Sequence, residues 1–186
     1  GLKGVGLNKL RLAVQAKLAG YVGPALFEAF PRIAELVGVD VVSQKGCNLV
    51  IAMPGDSDQV PTHRDAPLNS NFEVVCWVPL VDCHDTKSMK ILDQAQTRNA
   101  LELLKDQGYE AYERYAIENG RALDLGLGSA CLFWAGLVHT VEINSTDETR
   151  WCLNHRYKSF WAPYGEKGSG YFERLCLSPL TEVGIG

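Results

Sequence analysis

Two histidines of the sequence stand where they could bind a metal ion together with a carboxylate. One residue separates His63 from Asp65, in the segment PTHRD. Residues i and i+2 of an extended chain point to the same side, so this imidazole and this carboxylate can reach one point in space. His139 follows the apolar segment Ala130–Trp134 at a predicted strand end. Two histidines and one carboxylate occupy one face of Fe(II) and leave three positions open, so we predict a catalytic metal triad of His63, Asp65 and His139.

Arg150 lies eleven residues after His139 and opens a predicted strand that continues to Phe160. Along this strand, polar or small side chains alternate with mostly bulky ones, so the polar face would line a pocket if the strand belongs to a barrel. A fixed guanidinium in such a pocket can bind a dicarboxylate through paired hydrogen bonds. Asn154 and Arg156 lie on the same predicted face, and they are candidates for contact with a substrate.

These three elements, taken in order, resemble the Fe(II)/2-oxoglutarate-dependent dioxygenases, and in particular the phytanoyl-CoA dioxygenase-like branch. That branch typically has a tail resembling H-x-S-x-x-N-x-[ST] followed a few residues later by an arginine, and His139, Asn144 and Arg150 follow this order. The segment Asn144–Arg156 looks most like oxygenases of bacterial surface-carbohydrate gene clusters. The resemblance extends over roughly residues 45–160.

The resemblance implies a double-stranded β-helix, which is a jelly-roll or cupin-like barrel, with Fe(II) bound by the metal triad. It implies 2-oxoglutarate and O2 as cosubstrates, with decarboxylation of 2-oxoglutarate to succinate and hydroxylation of a small-molecule or carbohydrate-type substrate. Arg150 would bind the far carboxylate of 2-oxoglutarate, with Asn144 and Lys90 as further cofactor-binding candidates. The carboxylate of Asp65 favours hydroxylation over halogenation, because related halogenases replace it to admit a halide.

Two positions depart from the family pattern. Val141 stands where the branch has a serine, which removes one expected hydrogen bond to 2-oxoglutarate. The segment Asp85–Ser88 replaces the usual Asn-Gly-like turn after the second strand. Neither change removes a proposed metal ligand.

Helices are predicted in residues 1–40 and mainly strands in residues 41–186, within one domain that spans 1–186. Apolar residues at helical spacing predict a helix from Leu7 to Leu18 and a second from Pro24 to Leu36, with a break at Pro31. Short apolar segments bounded by turn residues predict five strands, at Asn48–Met53, Phe72–Val81, Met89–Leu92, Ala130–Trp134 and Arg150–Phe160. One helix, about Asn99–Glu118, interrupts them. We therefore predict a mainly β fold with flanking helices.

Composition argues against nucleic-acid and membrane partners. The formal net charge is -4 and no Lys/Arg-rich run occurs. No apolar stretch approaches the length that spans a bilayer. None of the six cysteines forms a C-x-x-C pair, and we interpret them as reduced thiols of a cytoplasmic protein. The sequence carries no feature that determines an oligomeric state.

Two other functions agree with parts of this pattern. A cupin-like metalloprotein would bind a divalent ion without 2-oxoglutarate, although cupins usually have a tighter, histidine-rich ligand pattern. In a non-catalytic carbohydrate-binding β-sandwich, the three residues of the metal triad would have no common function.

Overall fold

Antiparallel strands form the central part of the chain, and helices flank them. The computed structural model describes residues 4–57 and 60–185. The helices are α1 Val5–Leu18, α2 Val22–Ala29, α3 Arg32–Val37, α4 Gln94–Gln107, α5 Tyr109–Asn119 and α6 Pro179–Ile185. The strands are β1 Val41–Gln44, β2 Asn48–Ala52, β3 Val74–Pro79, β4 Lys90–Ile91, β5 Arg121–Ala122, β6 Cys131–Trp134, β7 His139–Thr140, β8 Arg150–Ser159 and β9 Phe172–Cys176.

The three N-terminal helices cover one face of the larger sheet. The predicted break at Pro31 is confirmed, because α2 ends at Ala29 and α3 begins at Arg32. Ile33 is fully buried and packs in a cluster with Leu153 and Tyr157 of β8. Within the described ranges, no helix has both the length and the apolar character needed to cross a membrane.

The predicted helix Asn99–Glu118 is two helices, so that prediction needs correction. Gly108 separates α4 from α5 and has a φ angle of 86°, a left-handed conformation that a right-handed helix cannot contain. Asp93 begins α4 earlier than predicted, since its side chain accepts a hydrogen bond from the Gln96 backbone in a capping box. The chain therefore changes direction at Gly108, between α4 and α5.

β8 is the strand around which the larger sheet is organised. It pairs with β3 along one side, and with β1 and β2 placed end to end along the other. The strand order is β6-β3-β8-β1-β9, with β2 as a further partner of β8, and all these pairs are antiparallel. A smaller sheet has the order β5-β4-β7. The sequence predictions missed β1 and β9, as well as the two-residue strands β5 and β7.

The two sheets are compatible with a jelly-roll-like fold, but in the described part of the chain they do not close into the predicted barrel. A cluster that includes Trp77 of β3, Phe133 of β6 and Met89 beside β4 packs between them. An isolated antiparallel bridge joins His63 to His139, the first residue of β7. The loop that carries His63 is thereby fixed to the smaller sheet.

Candidate metal centre and adjoining pocket

The structure brings the three predicted metal ligands together. One ligand atom from each of His63, Asp65 and His139 lies within 4.8 Å of the other two. The backbone N–H of His63 donates to the His139 carbonyl at 3.1 Å, and the reverse hydrogen bond measures 2.9 Å. Nε2 of His63 lies 3.6 Å from Oδ1 of Asp65. The bridge between the two histidine backbones therefore fixes the spacing that a facial triad needs.

Each histidine presents Nε2 to the centre of the triad because its other nitrogen is engaged. Nδ1 of His63 lies 2.7 Å from the Pro61 carbonyl oxygen, and Nδ1 of His139 lies 3.0 Å from the Leu137 carbonyl oxygen. A carbonyl oxygen only accepts, so Nδ1 carries the proton in both rings and Nε2 keeps a free lone pair. Burial and the neighbouring His63 lower the pKa of His139 to about 4, which keeps this imidazole neutral near pH 7.

Asp65 is held by a buried ion pair with Arg156. The guanidinium donates to Oδ2 of Asp65 from Nε at 3.1 Å and from Nη2 at 2.8 Å, and a third donor bonds Gln44. Burial acts to raise the pKa of Asp65, but its contacts with His63 and with the positive charge of Arg156 outweigh burial and lower this pKa well below its usual range. The carboxylate is therefore ionised, with Oδ1 turned toward His63. Arg156, which we expected to contact substrate, lines the pocket and holds the predicted metal ligand Asp65.

A pocket of about 220 Å³ adjoins the triad on the predicted polar face of β8. Arg150, Asn154 and Arg156 all line it, whereas Leu153 and Tyr157 face the helices on the other side. The alternation predicted for this strand is therefore confirmed. Other lining side chains come from β2, β3 and the segment after β7: Asn48, Val50, Trp77 and Val141.

Arg150 has hydrogen-bonding capacity that the described protein does not use. The residue is 3% exposed, and its Nη1 donates to the Ser88 carbonyl at 2.8 Å. Its Nε is buried and has no hydrogen-bond partner among the described residues, and the same holds for Oδ1 of Asn154. A buried donor without a partner costs about 1–3 kcal/mol, and more when the group is charged. An anionic ligand in this pocket would supply the missing acceptor.

Two predicted cofactor-binding residues are not brought to this pocket. Nδ2 of Asn144 donates to the carbonyls of Ala52 and Glu148, at 3.3 and 2.7 Å, and its Oδ1 accepts from Thr146. Asn144 thus shapes the loop that leads into β8.

Lys90 is likewise directed elsewhere. Its Nζ donates to the Ile117 carbonyl at 2.9 Å and pairs with Glu142. The structure therefore gives no support to a role for Lys90 or Asn144 in holding 2-oxoglutarate.

Sequence reasoning missed the contribution of α1 to the pocket. Arg11 is one of the lining residues, and it donates to the Leu49 carbonyl at 3.4 Å. Gln15, one helical turn later, accepts from the Leu49 N–H at 3.1 Å. The two side chains therefore satisfy backbone groups on the free edge of β2. The only signal in the sequence was the four-residue spacing of Arg11 and Gln15. That spacing does not indicate a contact with Leu49, which lies 34 residues after Gln15.

The fold is similar to those of several solved non-haem enzymes. The nickel complex of the non-haem monooxygenase ThoJ matches with a TM-score of 0.60 at 15% identity, over 91% of this chain and 72% of that chain. SnoK, a non-haem α-ketoglutarate-dependent carbocyclase from nogalamycin biosynthesis, matches with a TM-score of 0.53 at 15% identity, over 70% of this chain and 55% of that chain.

The epimerase SnoN, in complex with Fe3+, α-ketoglutarate and nogalamycin RO, matches with a TM-score of 0.50 at 20% identity, over 91% of this chain and 80% of that chain. No protein-family model matches the sequence, and no curated protein matches it. At these identities the likeness concerns the fold alone.

Proposed function

We propose that this protein is a non-haem Fe(II) oxygenase that uses 2-oxoglutarate and O2. The observation that carries the proposal is the convergence of His63, Asp65 and His139 beside a pocket with an arginine N–H that has no partner among the described residues. The solved neighbours include α-ketoglutarate-dependent enzymes, which supports the same reaction class. The proposal includes a double-stranded β-helix fold, a single domain and a cytoplasmic location.

The donor set is suited to Fe(II). Two neutral imidazoles and one ionised carboxylate match the ligands of non-haem iron oxygenases, and three coordination positions stay open for other molecules. Iron bound here would supply the activation of O2 and the oxidation of substrate. The protein's own contribution is to fix both imidazole tautomers through Pro61 and Leu137, and to keep Asp65 ionised through Arg156.

Arg150 is the residue that we assign to the far carboxylate of 2-oxoglutarate. Its guanidinium is oriented by the Ser88 carbonyl, at the turn that replaces the family's usual one, and its Nε is available. Val141 lines the pocket where the family has a serine, so it offers no hydrogen bond. Asn154, whose Oδ1 has no partner in the described protein, is the further polar group on this wall.

The alternatives account for less of the site. A cupin-like metalloprotein that does not use 2-oxoglutarate would explain the triad but not the unpartnered Arg150 N–H beside it. A carbohydrate-binding β-sandwich would explain neither. Retention of Asp65 favours hydroxylation over halogenation, and SnoN's complex with nogalamycin RO supports a small-molecule substrate. Membership of the phytanoyl-CoA dioxygenase-like branch and a carbohydrate substrate rest on the sequence resemblance alone.

The test is the conversion of 2-oxoglutarate to succinate without added substrate, followed by NMR. We expect slow succinate formation that requires both Fe(II) and O2. His139→Ala should abolish it, because the variant loses one of three ligands. His84→Ala is the matched control, since His84 is exposed and lies outside the triad. Undiminished succinate formation in a folded His139→Ala variant would contradict the metal assignment.

A further inference from the structure

A second cavity lies next to the metal pocket and shares two side chains with it. We call it the outer groove, and its volume is about 600 Å³. Val60 and Val141 line both the outer groove and the metal pocket. The outer groove therefore meets the metal pocket at these two valines.

One wall of the outer groove is a stripe of α5. Tyr109, Glu113 and Ile117 follow one another at four-residue spacing, so they lie on one face of the helix. This wall is tied to the metal site, because Thr62 immediately precedes His63. The Tyr109 hydroxyl donates to Oε1 of Glu113 at 3.2 Å and lies 3.4 Å from the Thr62 carbonyl oxygen, and the Thr62 hydroxyl donates to the same Oε1 at 3.5 Å. Glu113 therefore stands close to the iron ligands while facing the groove.

The charge of the outer groove is opposite to that of the metal pocket. Its charged lining residues in the described chain are Glu113 and Glu142, and no lysine, arginine or histidine lines it there. Glu142 already pairs with Lys90. Both hydrogen bonds that Glu113 accepts from described residues, those of Thr62 and Tyr109, go to Oε1, so Oε2 is available to a ligand.

Three arginines, by contrast, line the metal pocket: Arg11, Arg150 and Arg156. The two spaces therefore select ligands of opposite charge. A dicarboxylate is attracted to the metal pocket, and the outer groove favours a ligand without negative charge. A substrate that enters through the groove would not compete with 2-oxoglutarate for the same arginine.

We propose that the outer groove binds the substrate, and that this substrate is an unphosphorylated small molecule with an apolar body and a protonated amino group. The amino group would pair with Oε2 of Glu113 and lie near the ring of Tyr109, an arrangement that adds a cation–π contribution. The apolar body would contact Ile117, Val141 and Ile143. Phosphate esters, coenzyme A thioesters and nucleotide sugars would place negative charge against Glu113 and Glu142, which disfavours them. This inference rests on the proposed oxygenase function.

The experiment compares three probes that share one apolar body and differ in charge. They are 2-naphthylmethylamine, 2-naphthylmethanol and 2-naphthylmethyl phosphate, titrated by calorimetry into the full chain with Fe(II) and 2-oxoglutarate under anaerobic conditions. We expect the amine to bind about tenfold more tightly than the phosphate ester, with the alcohol between them. Glu113→Gln should remove most of that preference. Glu118→Gln is the matched control, because Glu118 is an exposed residue of the same helix that does not line the groove.

Three results would overturn the proposal: binding of the phosphate ester at least as tight as that of the amine, an unchanged preference in Glu113→Gln, or no binding of any probe. The absorption band of the iron and 2-oxoglutarate chelate, recorded on the same samples, separates this outcome from failure of the proposed function. A band without an amine preference overturns the substrate class alone. An amine preference without a band supports the groove and contradicts the oxygenase assignment.

Discussion

Arg156 connects the metal triad to the interior of the larger sheet. It places two N–H groups on Oδ2 of Asp65 and a third on Gln44 of β1, and the ion pair is almost fully buried. The guanidinium thus occupies one carboxylate oxygen and leaves Oδ1 as the oxygen directed at His63. Partners of this kind orient a metal ligand, and their loss typically lowers metal affinity or activity about 10- to 100-fold.

We predict that Arg156→Met weakens Fe(II) binding within that range, because Asp65 loses the partner that fixes its orientation. The free energy of unfolding of the metal-free protein should also fall by about 3–5 kcal/mol, since a buried carboxylate is left without its counter-ion. Arg156→Lys restores the charge but not the paired geometry, so it should recover part of the affinity. Calorimetric Fe(II) titration measures this, with Arg98→Met of α4 as an exposed control. Wild-type Fe(II) affinity in Arg156→Met would refute the positioning role.

The convergence of His63, Asp65 and His139 was predictable from the sequence, because the residue types and their spacing are local features that follow simple geometry. His63 and Asp65 lie two residues apart, and the two-residue period of β8 placed Arg150 and Asn154 on one face. The role of Arg156 was not predictable, since its partner Asp65 lies 91 residues earlier in the chain. Asn144 matches the spacing of the family pattern, but an asparagine can equally stabilise a turn at such a position. In the structure Asn144 stabilises a turn.

β8 separates two chemically different faces of the larger sheet. One face lines the metal pocket, and the other places His155 beneath α2. Both ring nitrogens of His155 are buried without partners among the described residues, and so is the Ser43 hydroxyl. A Cβ atom added at Gly23 of α2 would lie 2.8 Å from Nε2 of His155, so the helix and the ring are in close contact. Burial lowers the pKa of His155 to about 4.

We predict that His155 makes the protein less stable in acid. The unfolded chain binds a proton at this side chain near pH 6.5, whereas the folded chain binds it only near pH 4. Stability is therefore fully present above pH 6.5 and falls as the pH drops from 6.5 to about 4, by up to about 3 kcal/mol. His155→Phe, which cannot be protonated, should lose less stability over this range.

Urea unfolding of the wild-type protein and the variant at pH 7 and pH 4.5 measures this difference. His84→Phe is the control, because His84 is exposed. Equal losses of stability on acidification in the wild type and His155→Phe would show that His155 does not titrate in this way.

The element boundaries show where pattern reasoning succeeds and where it does not. Strands with apolar, β-branched cores such as β3 were predicted, since their composition alone favours a buried strand. β1 and β9 were not predicted, because β1 is only four residues long and β9 carries the charged residues Glu173 and Arg174. The break at Gly108 was not predicted, because a helix often tolerates an isolated glycine. Whether the helix ends at such a glycine depends on tertiary packing.

Elements that are distant in sequence each contribute a different part of the site. α1 contributes Arg11 and closes the free edge of β2, β8 contributes the pocket wall, and α5 forms the outer groove. The resemblance in sequence extends over roughly residues 45–160 and contains none of the α1 contribution. Formation of the cationic metal pocket and the acidic outer groove therefore depends on the complete fold.

The most direct test is an anaerobic titration of the metal-free protein with Fe(II) and then 2-oxoglutarate, following the visible charge-transfer band of the chelate. We predict that the band appears in the wild type and in the control Arg98→Ala. In Arg150→Ala, iron should still bind, but the band should require about 30-fold or more 2-oxoglutarate, because loss of one partner of a buried charge pair costs about 2–5 kcal/mol. Iron binding without any band in the wild type would contradict the assignment of 2-oxoglutarate, and no iron binding would contradict the metal triad itself.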